Sequence, residues 1–237
     1  MKKVVLTIVV FLCVFGAKAQ EFSVGADVVS SYVWRGQYLG GASIQPGVGF
    51  SAGGFSIGAW GSTDIVNLAS AKEFDLSVGY EISGFSVGIT DYWIVPQDEN
   101  RSRYFNYDKD NGTAHTFEAT IGYTLPVESF PLSLSWSTNF AGTDGVKLDG
   151  EEEKTAYSSY FEASYPFSVK DIALTAAIGL TPWETSAYGA NGFSVLNISL
   201  AAAKEIKITD SFSLPVFGQI VVNPRSEDAF LVIGISF

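Results

Sequence analysis

The chain is nearly without cysteine, histidine and methionine. Its 237 residues hold one Cys, one His and one Met. Cys13 falls inside the apolar run from Val4 to Gly16. That run is shorter than the ~20 residues of a membrane-spanning helix. Lys2 and Lys3 precede it, and Ala17-Lys18-Ala19 follows with small residues at the −3 and −1 positions of a cleavage site. This is the pattern of a secretory leader. We read residues 1–19 as a signal peptide that is removed and 20–237 as the folded domain. Leu12, ahead of Cys13, is too large for a lipid-anchor cleavage site. The mature chain then has no thiol, which excludes disulfides, thiol catalysis and cysteine-held metal.

Positive charge is scarce. Lys2, Lys3 and Lys18 leave with the leader, so 14 basic residues become 11 against 25 acidic ones, a mature net charge of about −14. Such a surface repels nucleic acid, which is excluded as a partner. A second long apolar run is also missing, although hydrophobic residues make up 47% of the chain. Apolar content without apolar runs is what two-faced, alternating strands produce.

The clearest such strand is the last, Asp228 to Phe237. Leu231, Ile233, Ile235 and the terminal Phe237 share one face, and side chains alternate faces along a strand. The same period recurs upstream. Phe22, Val24, Ala26, Val28, Tyr32 and Trp34 share a face of a first strand running to Trp34. Further strands are expected at 43–52, 55–62, 73–82, 85–95, 114–125, 131–140, 155–165, 171–182, 192–203 and 212–222, twelve in all. Gly53-Gly54 and Ser83-Gly84 read as two-residue hairpin turns. Short connections at Gly53, Ser83, Pro126, Pro166 and Lys204 alternate with longer polar ones at Gly36, Thr63, Pro96, Ala141 and Trp183. Alternating turns and loops are the asymmetry of outer-membrane barrels, and closure removes the unpaired edges a bilayer does not tolerate. The expected fold is all-β: a single closed antiparallel transmembrane barrel of about twelve strands.

Two residues strain that pattern. Asp91 falls on the outward face with Phe85, Val87 and Ile89, where a bulge is expected to turn it inward. Pro215 interrupts a strand and calls for a bulge or a late strand start.

The inward parity gathers Asp27, Asp75, Glu81, Glu118 and Glu162, with Asn139, Asn197 and Gln219, against one cation, Arg35. We take Asp27, Arg35, Asp75, Glu81, Glu118, Glu162 and Gln219 as candidate pore-lining residues. Rings of carboxylates favour cations in a narrow pore. The same groups also suit a lumen filled by hydrogen-bonded polarity, and Arg35 suits either a constriction or a partner for an interior carboxylate. Leu231, Ile233, Ile235 and Phe237 form a candidate assembly signal for the barrel-insertion machinery.

Catalytic candidates fail. His115 is the only histidine, it stands near a loop, and no G-x-S-x-G turn exists to pair with it, so an exposed residue is expected. Asp108-Lys109-Asp110-Asn111-Gly112 breaks the EF-hand spacing, because Tyr107 would have to be the first ligand. No enzyme, metal site or cofactor is expected. Trp34, Tyr38, Trp60, Tyr92, Trp93, Trp183 and Phe237 cluster at strand ends, as interfacial belts do, while Tyr92 by parity faces inward, where a solute could stack.

Ser31-Tyr32-Val33-Trp34-Arg35-Gly36 resembles the S-x-Y-V-[FW]-R-G signature of the TorF family of small outer-membrane porins. Gly58-Ala59-Trp60-Gly61-Ser62 is similar to the G-x-W-x-S stretch of that family's third strand. The resemblance covers Phe22 to about Val95; beyond it only the strand pattern matches. It implies a barrel of this size and a channel role, without an assigned substrate. The expected function is an outer-membrane channel for small cationic or neutral solutes, with membrane lipid around it. The alternative is a non-conducting barrel that acts through its extracellular loops in adhesion or envelope structure.

Overall fold

The computed structural model describes residues 20–68, 70, 72–95 and 103–237. The expected leader at 1–19 and the first part of the loop after Val95 lie outside them.

Twelve strands close a barrel. They are β1 (Glu21–Val29), β4 (Ser43–Ala52), β5 (Phe55–Asp64), β6 (Lys72–Ile82), β7 (Phe85–Val95), β8 (His115–Thr124), β9 (Ser133–Gly142), β12 (Ser159–Val169), β13 (Ile172–Thr181), β14 (Ser194–Lys207), β15 (Ser213–Asn223) and β16 (Asp228–Ser236). Two small hairpins stand apart from the wall: β2 (Tyr32–Trp34) with β3 (Gln37–Gly40), and β10 (Val146–Asp149) with β11 (Glu152–Thr155). Every barrel strand pairs antiparallel with its neighbours, and β1 closes on β16.

The period-2 pattern sets the two faces. On β6, Leu76, Val78, Tyr80 and Ile82 are exposed while Asp75, Ser77, Gly79 and Glu81 are buried or half-buried. Adjacent strands repeat this in register, Val78 beside Ile89 and Gly79 beside Gly88. Asp27 and Glu118 point inward; Phe85 and Ile121 point outward, 55% and 54% exposed. A belt of exposed Val, Ile, Leu and aromatic side chains therefore surrounds the wall, and closed ladders satisfy the backbone behind it. Gly53 and Gly54, with φ of 57° and 90°, turn one hairpin, and Ser83 and Gly84, with φ of 50° and 84°, turn the next. Both central residues with positive φ mark the turn whose twist matches the flanking strands.

Three prolines interrupt strands without bulging them. The β15–β16 ladder begins at Val216, so Pro215 pairs only with Glu205 on β14. The β12–β9 ladder ends at Ser164, two residues before Pro166. Pro46 pairs with Ala26 on β1 and falls in a gap of the β4–β5 ladder. Each proline lies where no N–H is needed on one side. The bulge expected at Pro215 is absent, and the strand starts before the proline.

The first strand differs from expectation. β1 ends at Val29, and after Ser30 and Ser31 the chain leaves the wall, so Tyr32 and Trp34 do not continue the outward face. The strand expected at 155–165 runs from Ser159 to Val169, with Thr155 in β11 and the turn confined to 170–171. β14 extends to Lys207 rather than Ala203. Real bulges occur elsewhere. Gly179 faces Asn197 but Leu180 faces Val195, which leaves Leu196 as an extra residue in β14. Phe117 faces Ala141 but Glu118 faces Asn139, which leaves Phe140 extra in β9.

Candidate functional site: a hairpin across the bore

The β2–β3 hairpin lies inside the barrel. Its turn, Arg35-Gly36, has φ of 50° and 79°. A side chain at position 36 would place its Cβ 1.9 Å from the Leu196 carbonyl oxygen, so only glycine fits against β14. The Leu196 bulge makes this seat. It turns both Leu196 and Asn197 from the wall toward the interior, and both are buried.

The hairpin touches both sides of the bore. Tyr32 meets Trp60 of β5 edge-on at 5.6 Å, and Trp34 meets Tyr92 of β7 at 5.7 Å. Arg35 donates to Glu118 of β8 at 2.5 and 2.9 Å, a two-pronged ion pair, and to the Tyr188 hydroxyl at 2.9 Å. Its guanidinium lies 4.2 Å from the Trp34 ring centre and 4.6 Å from that of Tyr160 on β12. On the far side, Asn223 of β15 donates to the Gly36 carbonyl at 3.0 Å, and Gln37 donates to the Ala187 carbonyl at 2.9 Å. A planar guanidinium between two aromatic faces and one carboxylate is a favoured setting for buried arginine.

A second shell of hydrogen bonds holds the partners. Tyr92 donates to Glu118 at 3.0 Å. Tyr160 donates to Glu162 at 2.7 Å, and Asn197 donates to the Tyr160 hydroxyl at 3.3 Å. Burial pushes the Tyr188 phenol above the ordinary tyrosine range, so it stays protonated beside Arg35. Tyr188 comes from the segment 183–190, which packs over the same level: Val146 donates to the Ser186 hydroxyl at 2.8 Å and Leu148 to Glu184 at 3.1 Å. Tyr160, Tyr188, Ala190 and Leu196 form a small apolar cluster inside the barrel, with Trp34 against it.

Of the candidate residues, the fold joins Arg35 to Glu118 directly and to Glu162 through the Tyr160 ring. Arg35 stands in the hairpin turn, not at the end of the first strand. Asp75 is buried in register with Trp60 and Tyr92, and its Oδ1 has no hydrogen-bond partner. Asp27 is buried beside Ser236 at the seam. Glu81 and Gln219 line the bore away from the hairpin and are half-buried. Leu231, Ile233 and Phe237 are exposed on the outer wall. Phe237 also exchanges backbone hydrogen bonds with Ala26 at 3.0 and 3.3 Å. Sequence reasoning missed Tyr160, Tyr188 and Leu196. Tyr92 faces inward, as its parity implies; Trp34 and Trp60 are interior too, so the interfacial-belt reading fails for those two.

Two outer residues also differ from expectation. No bulge turns Asp91 inward; it stays on the outward face and bonds His115 at 2.7 Å. His115 is not exposed but fully buried.

On the other side of the hairpin, the bore is lined by small groups: Gly47 and Gly49, Ser56 and Gly58, Ser77 and Gly79, Ser86 and Gly88, Thr120 and Gly122, Ser133 and Ser135. Most are half-buried.

Comparison with solved structures finds the "KdgM porin" with a TM-score of 0.45 and 9% identity, over 92% of this chain and 98% of that one. It also finds "Salmonella typhi OmpF complex with Daunomycin" with a TM-score of 0.37 and 10% identity, over 93% of this chain and 97% of that one. No curated protein matches. A family model described as "Bacterial protein of unknown function (Gcw_chp)" matches residues 15–207. That match covers most of the chain, including the hairpin and ten of the barrel strands, and the protein belongs to the Gcw_chp family.

Proposed function

We propose that this protein is an outer-membrane barrel that passes small cationic or neutral solutes, with the β2–β3 hairpin as its constriction. One observation carries the reading. Across β4 to β9 the bore away from the hairpin is lined mainly by Ser, Gly and Thr, where a filled barrel would interdigitate large side chains. Most of the bulky interior groups gather around Arg35, with Phe217 lower on β15, against Gly234. The apolar outer belt supports residence in lipid. The TorF-like motif, SYVWRG, forms the first strand and the turn of the hairpin.

Selectivity follows from charge at that level. Glu118 is neutralised by Arg35, which leaves Asp75 and Glu162 near that level, and Asp27 and Glu81 elsewhere in the bore, without a cationic partner among the described side chains. The test is conductance of purified protein in planar bilayers under a salt gradient, for the wild type and for a form with 31–40 replaced by a short Gly-Ser linker. Conductance that rises in the linker form and favours cations supports the reading. Silence in both forms favours the non-conducting barrel that acts through its extracellular loops.

A further inference from the structure

Asp91 should not face outward unattended. It lies on β7 above Phe85, Val87 and Ile89, and its neighbours in register are Leu76 and Phe117, on the same outer face. His115 opens β8 beside it. The Nδ1 of His115 lies 2.7 Å from Asp91 Oδ1, and its Nε2 lies 2.5 Å from the carbonyl oxygen of Tyr104. The imidazole is 0% exposed. Residues 103–113 cover it. Tyr107 stacks on the ring at 4.2 Å, Tyr104 meets it edge-on at 5.2 Å, and Phe117 and Trp93 lie at 6.2 and 6.4 Å. The covering segment is tied down at its end: Thr113 donates to the Asn106 carbonyl at 2.6 Å and accepts from the His115 amide at 3.1 Å.

Both oxygens facing the ring are acceptors. A backbone carbonyl has no proton to give, and neither does a carboxylate. A neutral imidazole has one N–H, so one nitrogen would turn a lone pair toward an oxygen at hydrogen-bond distance with no water between. Two N–H groups satisfy both contacts. The surrounding ring faces also attract a cation, and Asp91 supplies the counter-charge.

We propose that His115, hydrogen-bonded through both ring nitrogens, latches residues 103–113 to the outer wall of the barrel, as a strap over Asp91. Among the described residues, the titratable groups facing the ring are Asp91 from β7 and Tyr104 and Tyr107 from the strap. β6 contributes Phe74, against Tyr104. Glu118 is on the opposite face of β8, with Arg35. Burial pushes the Tyr104 phenol up, so it stays neutral beside the ring.

His115 is the only histidine, so selective 15N-histidine labelling gives a single imidazole signal set. At neutral pH the folded protein should show two N–H nitrogens; one N–H and one bare nitrogen would overturn the proposal. Trypsin reads the strap, through Arg103 and Lys109. Normalised to a reference peptide, cleavage there should be about tenfold faster in His115→Gln than in the wild type, as loss of one charged hydrogen bond implies, while the barrel band stays heat-modifiable. Equal cleavage of the two would overturn the latch. The nitrogen signals of the wild type decide even if the variant fails to fold.

Discussion

Glu118→Ala is the sharpest probe of the constriction. The substitution removes both prongs of the Arg35 pair and the acceptor of the Tyr92 hydroxyl. Arg35 is 12% exposed and Glu118 2%, so little solvent screens the loss. Removing one partner of a buried pair costs about 3–5 kcal/mol, because the other charge is left uncompensated. At about 1.4 kcal/mol per tenfold, the hairpin's docked state loses about two to four powers of ten in relative population. Turning a site from 99% docked to 99% released takes about 10⁴-fold. The variant should therefore be open for a large part of the time, rather than permanently open. Single-channel recording should show long openings that are rare in the wild type. The double variant Arg35→Met with Glu118→Leu leaves no charge exposed and should return toward the closed record, since apolar pairs of similar volume replace buried ion pairs well. Identical records for wild type and Glu118→Ala would refute the reasoning, by showing that the pair does not hold the hairpin or that the bore is shut elsewhere.

Gly36→Ala should act in the same direction by a different route, since its Cβ meets the Leu196 carbonyl at 1.9 Å and φ is 79°; conductance should rise with heat-modifiable folding retained. Deleting Phe237 should cut the yield of folded barrel on semi-native gels. It removes both hydrogen bonds to Ala26 from a β1–β16 seam that otherwise has three residue pairs in register. Neutralising Asp75, Glu81 and Glu162 together as Asn and Gln should move the reversal potential toward anions in an open variant, and raising salt should weaken the starting preference. An unchanged potential would mean that these groups are sealed in internal hydrogen bonds.

The wall was legible in the sequence because each strand reports its faces locally. Apolar alternation at 85–89 or 231–235 needs no partner to be read, and Gly53-Gly54 names its own turn. The bore was not legible. Arg35 looked like the end of a strand because Phe22 to Trp34 keeps a period of two, broken only at Ser30. What removes Tyr32 to Trp34 from the wall is a seat more than 150 residues away in sequence, the Leu196 bulge that accepts Gly36. A bulge of one residue leaves no mark at Val195-Leu196, two adjacent apolar residues of which either fits either face. Tyr188 gave no signal either, since a lone tyrosine in a polar loop reads as surface. The charge of Asp91 was visible, but its remedy was not: the expected bulge kept the barrel rule by moving the carboxylate, whereas the fold keeps it by covering the carboxylate.

That difference bears on what the long-loop side of the barrel is for. The segment 183–190 and the hairpin β10–β11 pack together over the level where Arg35 sits, with Tyr188 reaching down to it. The covering loops and the constriction are therefore one connected assembly. In the proposed channel, a solute entering from this side passes these segments before the hairpin, and a binder that moves them would pull on Tyr188. Tyr188→Phe tests this coupling without disturbing Glu118, because it deletes one acceptor of Arg35 and keeps the ring against Tyr160. A lost hydrogen bond to a charged group is worth about 1.5–3 kcal/mol. The variant's openings should thus fall between those of the wild type and of Glu118→Ala. Openings equal to the wild type's would mean that the loops cover the hairpin without holding it.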